Sequence, residues 1–310
     1  MKIRLGTRGS TLATTQSGLV ADALVAAGQS RGLAVEVELV TITTHGDTSR
    51  ASLVGLSEVG VFVTALRDAL LGGTCDVIVH SLKDMPTAPF PGLELAAIPP
   101  REDVRDALCS GGVALADLPA GARVGTGSPR RAAQLLTLRP DLEAVAIRGN
   151  VDTRLAMVGA APDDGGLAAV VLASAGLNRL GRGDEASELL APDDMLPSPG
   201  QGALAVEIAD DAPADLAELV RSLDDADTRA AVTAERAALA VLDAGCSAPV
   251  GALATVTEGA LTLTVRVINA DGTLALNERV TGRAQDAPAL GRASAHALLG
   301  RGASSLMGKK

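Results

Sequence analysis

The sequence predicts an α/β protein of two lobes followed by a smaller α+β domain, and three observations carry that prediction. Strand-like and helix-like segments alternate through the first hundred residues or so; the alternation stops at Pro99 and Pro100 and starts again; and the texture changes after "MLPSPGQGALAVE". Such alternation is the signature of βαβ units with parallel strands.

The elements follow in order. "KIRLGT" reads as a strand, and Ser10 caps a helix whose apolar positions Leu12, Leu19, Ala23 and Leu24 recur at helical spacing. "AVEVELVTI" is a second strand. "VFVTALRDALLGG" is a helix stopped by Gly72 and Gly73, and "CDVIVHS" is a fully buried strand of the parallel kind. In the second lobe "ARVGTGSPRRAAQLL" is strand, glycine turn and helix, "AVAIRGNVDTRLAMV" repeats the plan, and "LAAVVLASAGLNRLG" adds another buried strand. "RLGTRGSTLA" and "RVGTGSPRRA" echo each other, as expected of two lobes of similar build. Thereafter "DADTRAAVTAERAALAVLDAG" is a long helix, "LTLTVRVINADGTLALNERV" is two strands about an Asn-Ala-Asp-Gly turn, and "DAPALGRASAHALLGRGASSLM" is a closing helix.

Composition narrows the function. The 310 residues are 47% hydrophobic with no Trp or Tyr, so the cores are aliphatic and the two phenylalanines, Phe62 and Phe90, stand out. A net charge of -10 argues against nucleic acid, which needs a basic surface. No run approaches the apolar length of a membrane span and no secretory leader is apparent, so a cytoplasmic protein is expected. Cys75, Cys109 and Cys246 are odd in number and widely spaced, which fits a reducing compartment and offers no metal-ligand pattern.

The basic residues are unusually placed. Arg130 and Arg131 follow Ser128 and Pro129 in the first turn of a helix, where the dipole disfavours cations, so either an anion compensates them or they form a solvated pair on a surface turn. Arg8 precedes the Ser10 cap, Arg148 ends a strand, Arg154 lies in the following helix and Arg179 follows the next strand. In open α/β sheets the ligand crevice lies at the carboxyl ends of the strands, so the ligand is expected to carry several negative charges. Only four lysines occur, and Lys83 is the one away from the chain ends; with Asp84 it follows a buried strand in "DVIVHSLKDMPT". Lys83 is open to three roles, as a Schiff-base nucleophile, an acid/base group or an anion ligand, and Asp84 to two, as a general acid or a carboxylate beside a cation. His80 reads as a structural hydrogen-bonding residue. Cys246, in the small-residue loop "LDAGCSAPVG", is a candidate nucleophile or attachment point, whereas Cys75 and Cys109 lie in apolar segments.

Taken in order, "RLGTRGSTLATTQ", "VHSLKDMPT", "REDVRDAL", "GTGSPRRAAQL", "IRGNVDTRL", "LASAGLNRLG", "LPSPGQGALAVE" and "TAERAALAVLDAGCSAPVGA" resemble the porphobilinogen deaminase (hydroxymethylbilane synthase) family over almost the whole chain. The resemblance implies two periplasmic-binding-protein-like lobes with mixed sheets and a C-terminal α+β domain. Domain 1 would comprise 1–98 and 200–220, domain 2 would be 99–199, and domain 3 would be 221–310. It implies a dipyrromethane cofactor held by a thioether to Cys246, onto which four porphobilinogen units are condensed head to tail with loss of ammonia before hydrolysis releases hydroxymethylbilane. Asp84 would be the catalytic carboxylate. Lys83, Arg8, Ser10, Ser128, Arg130, Arg131, Arg148, Arg154 and Arg179 would bind substrate and cofactor carboxylates, and Phe62 would cover pyrrole rings. The resemblance further implies a monomer without metal, nucleic-acid or membrane partner, whose product passes to uroporphyrinogen-III synthase. Two departures stand out: "LVGLSEVGVFVTAL" lacks the lysines common in that loop, and Gly127 stands where a second serine is frequent. A non-catalytic two-lobed binding protein for an organic polyanion is the competing reading, and it leaves the third domain and Cys246 without a purpose.

Overall fold

The computed structural model describes residues 1–42, 58–159, 166–244 and 248–308, the side chains of 58–62 excepted. The chain divides into two compact units, Met1–Arg101 with Ala203–Arg229, and Glu102–Gly202 with Ala230–Lys310.

In the first unit β1 (Lys2–Thr7), α1 (Thr11–Ser30), β2 (Glu36–Thr41), α2 (Glu58–Leu71), β3 (Val77–Ser81) and β4 (Leu93–Ala97) follow one another. The second unit opens with β5 (Asp106–Cys109), β6 (Arg123–Thr126), α3 (Pro129–Leu138), β7 (Glu143–Ala146), α4 (Val151–Leu155), β8 (Ala169–Ala173), α5 (Ser174–Arg179) and β9 (Glu188–Leu190). The chain then returns to the first unit as β10 (Leu204–Ala209) and α6 (Ala214–Arg221), followed by α7 (Ala226–Val241). It ends in β11 (Val250–Thr257), β12 (Ala260–Ile268), β13 (Ala275–Arg283), α8 (Ala287–Gly300) and α9 (Ala303–Leu306).

The first sheet has the order β2-β1-β3-β10-β4 and the second β7-β6-β8-β5-β9. Each is a parallel trio extended by antiparallel pairings: β10 runs against β3 and β4, and β5 against β8 and β9. The two sheets therefore share one topology, and the echoing segments occupy matching places in it. β1 and β6 are both second in order, and each feeds a helix capped by a serine. The parallel strands read from the first hundred residues are joined by β10, which makes the sheet mixed, as expected. That strand comes from beyond residue 200, and its antiparallel direction follows from entering the sheet from the opposite end.

Aliphatic side chains fill each unit, as the shortage of aromatics requires. Leu5, Leu24, Val77, Val206 and Ile208 cluster in the first, and Leu108, Val124, Leu135 and Met195 on one face of the second sheet. The third sheet, β11-β12-β13, is antiparallel and packs its Leu261, Leu263, Val265 and Val267 row against α8. It is tied to α3 within the second unit: Thr137 Oγ1 donates to the Gly272 carbonyl at 2.7 Å, and Arg266 donates to Gln134 Oε1 at 2.8 Å. The buried Glu235 of α7 accepts from the Gly200 and Ala254 amides at 2.7 and 2.8 Å. Two sequence expectations need amending here. β11 precedes the pair of strands read from the sequence, and the closing helix breaks at Gly302, whose φ of 90° suits glycine.

Candidate active site

In the first unit β1 and β3 lie side by side and parallel, so Arg8 and Ser10 emerge at the same sheet edge as Lys83 and Asp84. Ser10 caps α1 by accepting from the Ala13 amide. Lys83 and Asp84 sit in a single 3₁₀ turn, Leu82–Asp84, directly after β3. Leu82 anchors that turn: its side chain is fully buried and its amide donates to the Ala203 carbonyl at 3.0 Å, while Lys83 and Asp84, which follow it, are half-buried.

Beneath the turn is a buried ion cluster. Glu207 of β10 accepts from Arg67 Nε and Nη2 at 3.0 and 2.7 Å, and His80 Nε2 lies 3.2 Å from Oε2, the oxygen that Arg67 Nε also reaches. The Arg67 guanidinium stacks on Phe90, 4.8 Å from the ring centre. His80 is buried beside Glu207, a neighbour that sequence reasoning missed.

In the second unit β6, β7 and β8 are parallel neighbours, so the segments after them share one edge. After β6 come Gly127 and Ser128; Ser128 caps α3 by accepting from the Arg131 amide. After β7 comes the exposed Arg148, then Asn150, which caps the helix bearing Arg154. After β8 comes α5 with Arg179, which donates to the Gly202 carbonyl at 2.6 Å.

The anion that Arg130 and Arg131 require belongs to the chain itself. Asp106, at the start of β5, is completely buried. Its Oδ2 accepts from Arg130 Nη2 at 2.8 Å; its Oδ1 accepts from Arg131 Nε at 3.0 Å, Arg131 Nη2 at 2.7 Å and Gln201 Nε2 at 2.8 Å. Burial by itself pushes this carboxyl up, but Arg130 and Arg131 outweigh it and hold its pKa far below the usual carboxylate range. Arg130 and Arg131 spend further donors on the Leu196 and Val171 carbonyls. The Arg154 Nε, like that of Arg130, is buried without a hydrogen-bond partner among the described residues, and burial together with Arg131 lowers the pKa of Arg154. It lies against the head of α3, with Nη2 3.7 Å from where a Cβ on Gly127 would stand.

Cys246 and residues 52–57 of the lysine-poor loop lie outside the described residues, as does the side chain of Phe62. Cys75 and Cys109 are free and buried, and burial pushes each thiol up to about 11. Among the described residues no three His, Cys, Asp or Glu side chains gather as a metal site, and no helix is long and apolar enough to cross a membrane.

Comparison with known proteins agrees with this architecture. Residues 3–216 match the family described as porphobilinogen deaminase, dipyromethane cofactor binding domain, and residues 229–300 match the porphobilinogen deaminase C-terminal domain. Porphobilinogen deaminase of Thermobifida fusca is 52% identical over 316 residues, covering 98% of this chain and 95% of that protein. The Leifsonia xyli protein of the same name is 55% identical over 274 residues, with 87% and 80% covered, and the Mycobacterium tuberculosis one 57% over 258 residues, with 83% and 79% covered. The fold defines the class: two α/β lobes built on mixed sheets, with an α+β domain after them. Within that class, the chain belongs to the porphobilinogen deaminase family.

The described residues fit the cofactor of that family. A dipyrromethane bearing acetate and propionate groups needs guanidinium donors, and the Arg154 Nε, buried without a hydrogen-bond partner among the described residues, has the chemistry of one.

Proposed function

We propose that Asp84 is the catalytic carboxylate of a hydroxymethylbilane synthase, the transferase that condenses four porphobilinogen molecules head to tail and releases hydroxymethylbilane for tetrapyrrole synthesis. Dipyrromethane, joined through a thioether to Cys246, supplies the anchor on which the chain is assembled. Asp84 holds the proton of the departing amine as ammonia leaves porphobilinogen, and its carboxylate then faces the cation that remains. A fixed carboxylate in a half-buried turn stabilises such charge without reorganising in the reaction. Lys83 and Arg8, with Ser10, bind substituent carboxylates in the first unit. Arg148 and Arg154, with Ser128, do so in the second, and Arg179 and Arg131 border them.

The observation that supports this reading is the turn itself: a rigid strand delivers Lys83 and Asp84 together, pinned by the buried Leu82. The family assignment supports a cytoplasmic monomer whose product goes to uroporphyrinogen-III synthase, and Phe62 as a ring cover. Intact-mass measurement tests the cofactor: the purified chain should carry the added mass of two linked pyrroles, and Cys246→Ser should lose it. Asp84→Asn should keep that mass and the fold while turnover falls about a hundredfold or more. Near-normal turnover in the loaded variant refutes the role of Asp84.

A further inference from the structure

The head of α3 poses an electrostatic problem whose solution bears on how the site recognises its ligand. Ser128 and Pro129 start the helix well, but Arg130 and Arg131 then place two cations at its positive end. Arg154 adds a third guanidinium at the head of the helix, its Nη2 3.7 Å from where a Cβ on Gly127 would stand, and Arg131 lowers its pKa. Against these stands Asp106, completely buried, with every bond it accepts from a side chain going to Arg130, Arg131 or Gln201. Arg130 is only 3% exposed and Arg131 6%. Their orientation is therefore set from within the protein, whether or not a ligand is bound.

We propose that Asp106 is a positioning residue of the carboxylate site: it is the resident counter-ion that fixes the Arg131 guanidinium and reduces the charge of the Arg130, Arg131 and Arg154 cluster from three to two. Two positive charges match the acetate and propionate of one substituted pyrrole. Without Asp106 the cluster would attract small inorganic anions more strongly and would hold Arg131 less firmly. Arg130 serves chiefly to neutralise Asp106 and to brace the Leu196 carbonyl at 2.6 Å. This rests on the reading of the site as one for pyrrole carboxylates.

The test compares the holoenzyme with Asp106→Asn, Arg130→Gln and the double variant. Asparagine keeps an oxygen for Arg131 and Gln201 but turns an amide N–H toward Arg130, and glutamine at 130 accepts that N–H. The double variant therefore restores both the hydrogen bond and the net charge. The readout is the rise in thermal midpoint with inorganic sulfate, which reports anion affinity without turnover. Asp106→Asn should bind sulfate about tenfold more tightly, the effect of one extra unit of charge in a partly buried site. It should also raise the KM for porphobilinogen more than it lowers kcat. The double variant should return the sulfate response and the thermal midpoint to near wild type. If Asp106→Asn loses stability with an unchanged sulfate response, Asp106 is merely structural and the proposal fails. Should that variant not fold, the comparison of the double variant with Arg130→Gln decides: a double variant no more stable than the single one overturns the pairing. Wild-type protein without the mass of two pyrroles would instead sink the cofactor reading, and the sulfate comparison would still report on Asp106.

Discussion

Replacing Glu207 with alanine tests the ion cluster beneath the Lys83–Asp84 turn. Glu207 sits where the pairing of β10 with β4 shifts register, a bulge that re-aims its side chain into the interior. There it accepts two bonds from Arg67, at 3.0 and 2.7 Å, and faces His80 Nε2 at 3.2 Å. Alanine leaves the Arg67 guanidinium, with 5% of its side chain exposed, without its carboxylate. Removing one member of a buried pair costs about 3–5 kcal/mol, because the survivor stays desolvated and unpaired. The loss should appear in equilibrium urea unfolding as a fall in midpoint at constant m-value. Arg67→Leu with Glu207→Leu removes both charges and should cost much less than Glu207→Ala alone. The pH dependence has a defined sign. Burial pushes the Glu207 carboxyl up, but His80 and Arg67 outweigh it and leave its pKa below the ordinary 4.5. The group therefore contributes stability above about pH 4.5, and that contribution disappears as pH falls through its depressed folded value. A Glu207→Ala variant less than about 1 kcal/mol weaker than wild type, or a Leu/Leu pair as damaged as the single variant, would refute this account.

Two further outcomes follow from burial. Cys75 and Cys109 are buried with thiols pushed up to about 11, so neither should react rapidly with a disulfide reagent in the native state at neutral pH. After denaturation, two thiols should titrate if Cys246 carries the thioether, and all three if it does not. Gly291→Ala in α8 would place a Cβ 2.2 Å from the Ala234 carbonyl and 2.8 Å from the Ala237 Cβ of α7. Thermal melting should show a loss of about 1–3 kcal/mol despite alanine's better helix propensity, and a gain in stability would contradict the close approach.

The parts of the fold legible in the sequence are those fixed over a few residues. Ser10 and Ser128 identify helix starts because a cap and the amide it accepts from are three positions apart. "CDVIVHS" reads as a buried strand because its apolar run needs no partner to be recognised, and β3 is that strand. β10 became visible only through the resemblance. Asp106 and Glu207 were missed as ionic partners, although an acid inside an apolar strand, as in "RDALC" and "LAVEIA", is a usable signal. Their partners lie far along the chain: 24 positions separate Asp106 from Arg130, and 140 separate Arg67 from Glu207. Pairing of that range is decided by topology, and no local pattern records it.

Asp106 also shows that an arginine at the head of a helix can be paired within the chain. A guanidinium beside a glycine or serine turn looks the same in sequence whether it answers a ligand or the protein. Arg130 and Arg131 answer Asp106, and Arg179 braces the carbonyl of Gly202. Gly202 has a φ of 86° and leaves no room for a Cβ, which would meet the Glu102 carbonyl at 2.4 Å. Substituents there would displace the acceptor that Arg179 uses. Arg154, whose buried Nε has no hydrogen-bond partner among the described residues, is the member of the second unit's set whose desolvation is not offset by a carboxylate of the chain. A desolvated, uncompensated cation is costly to keep. An anion bound beside Arg154 would offset that cost.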